Sequence, residues 1–441
     1  MQRRLMILVC VLICAVAGIA GAQSGEINGR VIYENAALPG VTVTATSPAL
    51  QGQKTTFTNE QGDYIIKALP AGDYKIRFEI ASFTTLEYDV RISTNQPRTL
   101  DAVMYPEAVQ EEIVVTGQYE TVSTGSQGSE TMEQSTLEKL PVARTIQQAV
   151  GLAAGTAATG PRGGTSISGA ASFENLYTLN GVVMNENLRG QPFDLYIEDA
   201  VLETTTMTSN MSAEYGRFSG GVVNMVTKSG GNEFSGSFRT NVTNESWNGE
   251  TPLTTGQEDT NNFTYEATFG GYILRDRLWF FAAGRTFETE GTDFLVAPND
   301  PAQNVPFSQT DSEDRYEGKL TFSFNPSHRI MGSYFESNYD EVNSYFFTPV
   351  DDKAIDPLRS FPTIGISATY NGVLSDHVFV EAMYSQRAYP CEGSGGEDQR
   401  LGATPVWDLL NSYGFNEHIF CGTCTDEQRN NENWFGKGSW F

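Results

Sequence analysis

Apolar and polar residues alternate with a period of two along most of this chain, and the alternation changes scale near residue 234. Before that point the runs are short. Ile27, Gly29 and Val31 alternate with Glu26, Asn28 and Arg30. Pro39-Gly40 then turns into Val41 to Ala45, Asn59 to Asp63 turns into Tyr64, Ile65 and Ile66, and Leu69 to Asp73 turns into Tyr74, Ile76 and Phe78. Short strands punctuated by Gly, Pro and Asn predict a small β-sandwich over residues 25–105. Beyond residue 234 the runs are long. Tyr316, Gly318, Leu320, Phe322 and Phe324 fall on one face of a strand, and Arg315, Glu317, Lys319, Thr321 and Ser323 on the other. Residues 364–370 and 378–387 alternate in the same way.

Between these regions the pieces are compact and mixed. Residues 145–150 read as a short helix with Gly151 near its end. Ile167 and residues 176–183 read as strands, the second interrupted by an Asn180-Gly181 turn, and residues 201–208 supply another strand. A glycine-dense turn (Gly216, Arg217, Gly220, Gly221) leads into Val222, Val223, Asn224, Met225, Val226 and Thr227. Lys228 and a Ser229-Gly230-Gly231 break follow, and the long alternation opens at Phe234. The stretch 211–239 therefore reads as a hinge between two kinds of architecture.

The spacing of turns gives the long strands a direction. Tight polar turns are expected at residues 274–277, 325–328 and 374–377. Long loops rich in Gly, Pro and Asp are expected around 290–313, 343–361 and 390–430. Short turns at one end and long loops at the other describe an outer-membrane barrel, with strands apolar outward and polar inward. Aromatic clusters at 279–281 and 345–347 suit its interfacial girdles. About eight such strands are expected, the last over residues 433–441.

The chain has 441 residues and a formal charge of -26, which argues against a nucleic-acid partner. Aromatics at 11% and hydrophobics at 39% imply large buried surfaces rather than disorder. At the N-terminus, Arg3 and Arg4 precede an apolar run over 5–19 and a small-residue Ala20-Gly21-Ala22 site, so residues 1–22 read as a cleaved export signal. An uncleaved anchor is the rival reading. Outside the signal lie Cys391, Cys421 and Cys424. The Cys421–Cys424 spacing fits a local disulfide in an oxidising compartment, or one half of a metal or redox site whose second half is missing. No catalytic constellation, metal set or cofactor motif emerges. His328 and His377 fall in tight turns and His418 in a loop, where each is expected to be solvated rather than to act as a general base.

One more segment stands apart. Glu111, Glu112, Ile113, Val114, Val115, Thr116 and Gly117 form an acidic, then β-branched stretch before the Ser/Thr/Gly-rich linker 121–129. It reads either as a last strand of the sandwich or as a strand free to add to another protein's sheet edge.

Resemblances add to this reading. Residues 25–105 resemble the carboxypeptidase regulatory-like domain, through Gly29-x-Val31, Pro39-Gly40-Val41-x-Val43, Thr58-x-x-x-Gly62-x-Tyr64 and Leu69-Pro70-x-Gly72-x-Tyr74. In that family the module is non-catalytic. Residues 112–117 resemble the TonB box, and 111–129 its box and linker. Residues 130–231 resemble the plug of TonB-dependent outer-membrane receptors, through LPVAR at 140–144, the Asn180-Gly181 turn, AEYGR at 213–217, GGVVN at 220–224 and TKSGGNEFSG at 227–236. The fold class implied is mainly β: a sandwich, an α+β plug, then the first strands of a transmembrane antiparallel barrel over 232–441. A barrel of eight strands is filled by its own side chains, whereas about 22 enclose a plug, so the chain is expected to be the N-terminal part of a longer receptor. The resemblance implies an outer-membrane location with the sandwich in the periplasm, TonB's periplasmic domain and outer-membrane lipid as partners, and an imported extracellular substrate such as a peptide or glycan. A non-transporting adhesin or structural barrel is the alternative.

Overall fold

The computed structural model describes residues 24–50, 52–94, 96–106, 115–118, 128–140, 145–160, 164–187, 190–211, 215–247, 249, 259–297, 303–325, 327–345, 348–375, 378–389, 406–415 and 429–440. Strands dominate it. Among the described residues no helix is long and apolar enough to cross a membrane.

The first unit is a two-sheet sandwich. Strands β1 (Gly25–Tyr33), β2 (Thr42–Ser47), β3 (Gly52–Phe57), β4 (Asp63–Leu69), β5 (Gly72–Glu79) and β6 (Leu86–Ile92) carry its pattern. One sheet pairs β1 with β4; the other runs β6-β5-β2-β3 and gains an outer strand, β7 (Val115–Gln118), beside β6. The alternation is obeyed closely. Tyr74, Ile76 and Phe78 of β5 point inward to meet Val43, Tyr64, Val90 and Leu100, all buried. Asp73, Lys75 and Arg77 between them point to water. Burying each of these large side chains contributes about 1.5–3 kcal/mol.

The second unit is a mixed five-stranded sheet. Its strands are β8 (Gly128–Glu133), β9 (Leu176–Leu179), β10 (Val182–Val183), β11 (Val201–Ser209) and β12 (Val222–Thr227), in the order β8-β11-β12-β9-β10. Two short helices accompany it, α1 (Gln134–Leu137) and α2 (Ile146–Gly151). Thr145 caps α2, its hydroxyl accepting from the Gln148 N–H at 3.4 Å. Asn180 and Gly181 join β9 to β10 with φ of 44° and 79°, the left-handed pair that a two-residue hairpin turn requires. The core of this sheet holds Ile146, Val150, Leu179, Val223 and Met225 together with Phe335, which belongs to the third unit.

That third unit is a wall of long antiparallel strands: β13 (Ser235–Asn244), β14 (Asn261–Leu274), β15 (Leu278–Leu295), β16 (Val305–Asn325), β17 (His328–Ser344), β18 (Thr363–Ser375), β19 (Val378–Ala388) and β20 (Asn431–Trp440). Each pairs with the next, and Asp356–Ser360 adds a ninth strand against β17. Among the described residues β13 and β20 each have one neighbour, so the wall is an open part of a barrel. Its faces divide as the alternation required. Tyr316, Leu320 and Phe324 are about half exposed on the outer face, while Arg315, Glu317, Lys319 and Thr321 are buried on the inner one.

Two expectations are corrected. Most of the loop anticipated over 290–313 is strand, because β15 and β16 stay paired up to Leu295 opposite Val305. Main-chain hydrogen bonding carries a strand past the region where an apolar face is needed. Trp279 does not join an outer aromatic girdle. It is fully buried on the inner face, and its indole N–H donates to Asn232 Oδ1 at 2.8 Å.

Candidate functional site: where plug, wall and sandwich meet

The hinge residues converge on one seam. The Thr227 N–H donates to Asn180 Oδ1 at 3.1 Å, and Asn180 Nδ2 donates to the Thr227 hydroxyl at 2.7 Å. That hydroxyl donates onward to Glu317 of the wall. From the same wall strand Lys319 Nζ donates to the Thr227 carbonyl at 2.9 Å. Lys228 turns the other way: its N–H bonds the Ala200 carbonyl at 2.8 Å and its Nζ the Asp199 carbonyl at 2.7 Å. Asn224 accepts from Thr178 Oγ1 at 2.9 Å and donates to Thr94 Oγ1 at 3.4 Å.

The glycines of this seam serve close approach. A Cβ on Gly221 would lie 2.4 Å from Ile167 Cγ2, and one on Gly230 would lie 2.1 Å from the Phe280 carbonyl oxygen. Gly220 is buried against Asn175, Gly216 is half-buried, and Arg217 holds a left-handed φ of 56°.

A larger ionic cluster lies a turn away and is invisible in any single strand. Arg239 meets Asp199 at 3.1 Å; Arg285 meets Glu198 at 3.1 Å, Glu266 at 3.2 Å and Glu313 at 3.4 Å; Arg315 meets Glu313 at 2.6 Å. Arg315 also donates to the Tyr196 carbonyl at 2.8 Å. Glu198 and Asp199 come from the plug and the rest from β13 to β16. Removing one member of such a buried network strands the charge of another, at about 3–5 kcal/mol. Farther along, Arg387 donates to the carbonyls of Val183 at 3.2 Å and Asn185 at 3.0 Å, and Ser385 to that of Gly181 at 3.0 Å. The inner face of the wall is thus tied to the plug through main-chain carbonyls as well as charges.

The sandwich docks on the same assembly. Glu203 of β11 is fully buried and accepts from the Thr94 N–H and the Thr94 hydroxyl, both at 2.9 Å. Gln96 donates to Ser129 at 3.0 Å and Thr131 at 2.9 Å, and Arg91 lies 3.3 Å from Glu133. On the wall side, Arg329 donates to the Leu50 carbonyl.

Within the box-like stretch, Val115, Thr116 and Gly117 belong to β7. They pair in parallel with β6, Val115 opposite Leu86 and Gln118 opposite Asp89. Glu112, Ile113 and Val114 lie outside the described residues, as do Cys391, Cys421, Cys424, His377 and His418. His328, expected to be solvated, is half-buried with Nδ1 2.8 Å from the Tyr370 hydroxyl. Among the described residues no group of three or more His, Cys, Asp or Glu is placed to hold a metal.

Residues 26–105 match the carboxypeptidase regulatory-like domain. A β-sandwich of that kind, followed by a mixed-sheet plug seated on the polar face of an open antiparallel wall, defines a class, and the chain belongs to it: the TonB-dependent receptors. It is 33% identical over 354 residues to the TonB-dependent transporter Oar of Myxococcus xanthus, a match covering 70% of this chain and 33% of that protein. The chain thus spans about a third of the length of this curated relative. Solved structures similar to it include the siderophore receptor PirA of Acinetobacter baumannii, at 18% identity and a TM-score of 0.48 over 69% of this chain and 43% of that one. Another is the outer membrane transporter YddB of Escherichia coli, at 17% identity and a TM-score of 0.45 over 59% and 39%.

Proposed function

We propose that this chain belongs to an energy-coupled importer of the outer membrane, with its sandwich in the periplasm. External loops capture a substrate, the plug blocks the passage, and residues 112–117 are the strand that TonB grasps to rearrange the plug. The observation that carries this reading is the way the plug is held. Thr227 and Asp199 are fastened to wall residues by directional hydrogen bonds and ion pairs, beside small apolar contacts at Phe335 and Phe281. Polar fastenings can be exchanged for water at modest net cost, which suits an element that must move. The likeness to a TonB-dependent transporter supports the same direction.

The test uses the full-length protein in its outer membrane, with Val114→Pro. Proline removes a main-chain donor and blocks strand addition. Loss of capture by TonB's periplasmic domain, with the barrel still heat-modifiable in gels, is the expected result. Unchanged capture would move the adhesin reading ahead.

A further inference from the structure

A cavity of about 740 Å³ opens where the three units meet at the short-turn end of the wall. Its floor is the sandwich around Pro48 and Gly72, its roof the segment after β12, and its side the wall strands near Ser327. The size is that of an ordinary small-molecule site.

The charge of its lining runs against the rest of the molecule. The chain holds 54 acidic residues against 28 basic ones. The cavity is lined by five cations (Lys54, Arg91, Lys228, Lys319, Arg329) and two carboxylates, Asp73 and Glu233. Arg91 is answered by Asp73 at 3.1 Å, and Lys319 sits two residues from Glu317 on the same face. The other three are held by carbonyls. Lys54 Nζ donates to Lys67 O at 2.9 Å and Ala68 O at 3.1 Å, Lys228 Nζ to Asp199 O, and Arg329 to Leu50 O. A carbonyl orients a cation without cancelling its charge. Among the described residues, none of these three has a carboxylate within ion-pair distance. Burial, and the nearby Arg329 guanidinium, push the Lys54 ammonium down to about 7. Low-dielectric walls with one sign of charge focus a field into the space between them.

We propose that this cavity is a binding site for a compact polyanion carrying two or more carboxylate or phosphate groups, held by Lys54, Lys228 and Arg329. The anion supplies the counter-charge that the protein leaves out, and it bridges sandwich, plug and wall at once. This assignment stands independently of energy coupling, since it requires only the three units in their observed places.

The probe is benzene-1,3,5-tricarboxylate, fully ionised across the neutral range, titrated calorimetrically into the detergent-solubilised full chain at low salt. The uncharged benzene-1,3,5-tricarboxamide is the blank. Lys54→Gln and Lys228→Gln should each weaken binding at least fivefold, and Lys139→Gln, on the plug away from the cavity, should leave it unchanged. Wild type should bind more tightly near pH 6 than near pH 8.5, about the range over which Lys54 loses its proton. Lys54→Arg, which stays charged, should bind with a smaller pH dependence than wild type; Lys319 and His328 also line the cavity. Two results would overturn the assignment: no saturable binding by a folded wild-type chain, or equal affinity in wild type and both Gln variants. Heat-modifiability in gels confirms that each variant is folded before it is titrated.

Discussion

Glu203 of the plug and Thr94 of the sandwich share two hydrogen bonds of 2.9 Å, through the threonine N–H and its hydroxyl. The carboxylate is fully buried, so its bonds to Thr94 stand in for water. Thr94→Val removes one donor and should loosen the dock by about 1–2 kcal/mol. Glu203→Ala, which leaves both Thr94 donors buried without an acceptor, should cost about 3 kcal/mol or more. Release of the sandwich by limited proteolysis along a urea series reads both.

The same pair carries a pH signature. Burial raises the Glu203 carboxyl above its ordinary value, the two Thr94 donors opposing that only in part. With the folded value above the unfolded one, the docked state takes up a proton more readily than the free one. Its stability contribution is fullest below the ordinary carboxylate range and is lost as pH rises through the raised value. Glu203→Gln keeps an acceptor for Thr94 without a titrating group, so the sandwich of that variant should stay docked with less dependence on pH. An unchanged slope in the same proteolysis assay would point to another group.

Across the plug–wall seam, Lys319 faces the Thr227 carbonyl while Glu317 receives the Thr227 hydroxyl. Lys319→Met leaves Glu317 buried beside no cation and should destabilise the seated plug by about 3–5 kcal/mol. The double change Glu317→Gln with Lys319→Met removes both charges and should recover a large part of that loss. Denaturant midpoints for the two singles and the double form a cycle. Additive losses would show that the pair is not coupled.

Gly230 offers a steric test of the hinge. Its missing Cβ would fall 2.1 Å from the Phe280 carbonyl oxygen and 2.6 Å from that of Gly271, both main-chain atoms of paired strands. Gly230→Ala therefore forces the linker off the wall and should cost about 1–3 kcal/mol. Gly291, in the long strand β15, faces open space: a methyl group there would meet nothing within 4 Å. Gly291→Ala should leave the yield of heat-modifiable barrel unchanged while Gly230→Ala lowers it.

Much of this arrangement was legible one strand at a time. The outward placing of Tyr316, Leu320 and Phe324 follows from period two alone, and the Asn180-Gly181 turn follows from its dipeptide. The ionic cluster was not legible. It exists because register sets Glu266 opposite Arg285 and Arg285 opposite Arg315. Register between strands is not written in any one of them. Two guanidinium groups placed opposite each other would repel; Glu313 meets both, and Glu198, contributed by a plug segment distant in sequence, adds a further carboxylate to Arg285. Trp279 takes the inner face for a related reason. An aromatic at a strand end suits either face until its N–H finds Asn232.

The backbone of Val115–Gln118 occupies the β6 edge of the sandwich. A partner that adds a strand uses the same main-chain groups. On the proposed reading, then, TonB and the β6 edge compete for one segment. In the full-length protein, amides of Val115–Gln118 that face β6 should exchange slowly with solvent. Val115→Pro should speed exchange at the β6 edge by removing a donor and displacing its neighbour. Adding TonB's periplasmic domain to wild type should raise exchange along Leu86 to Asp89 as the strand is drawn away. If TonB binds and those amides remain protected, the captured segment is not the one paired with β6.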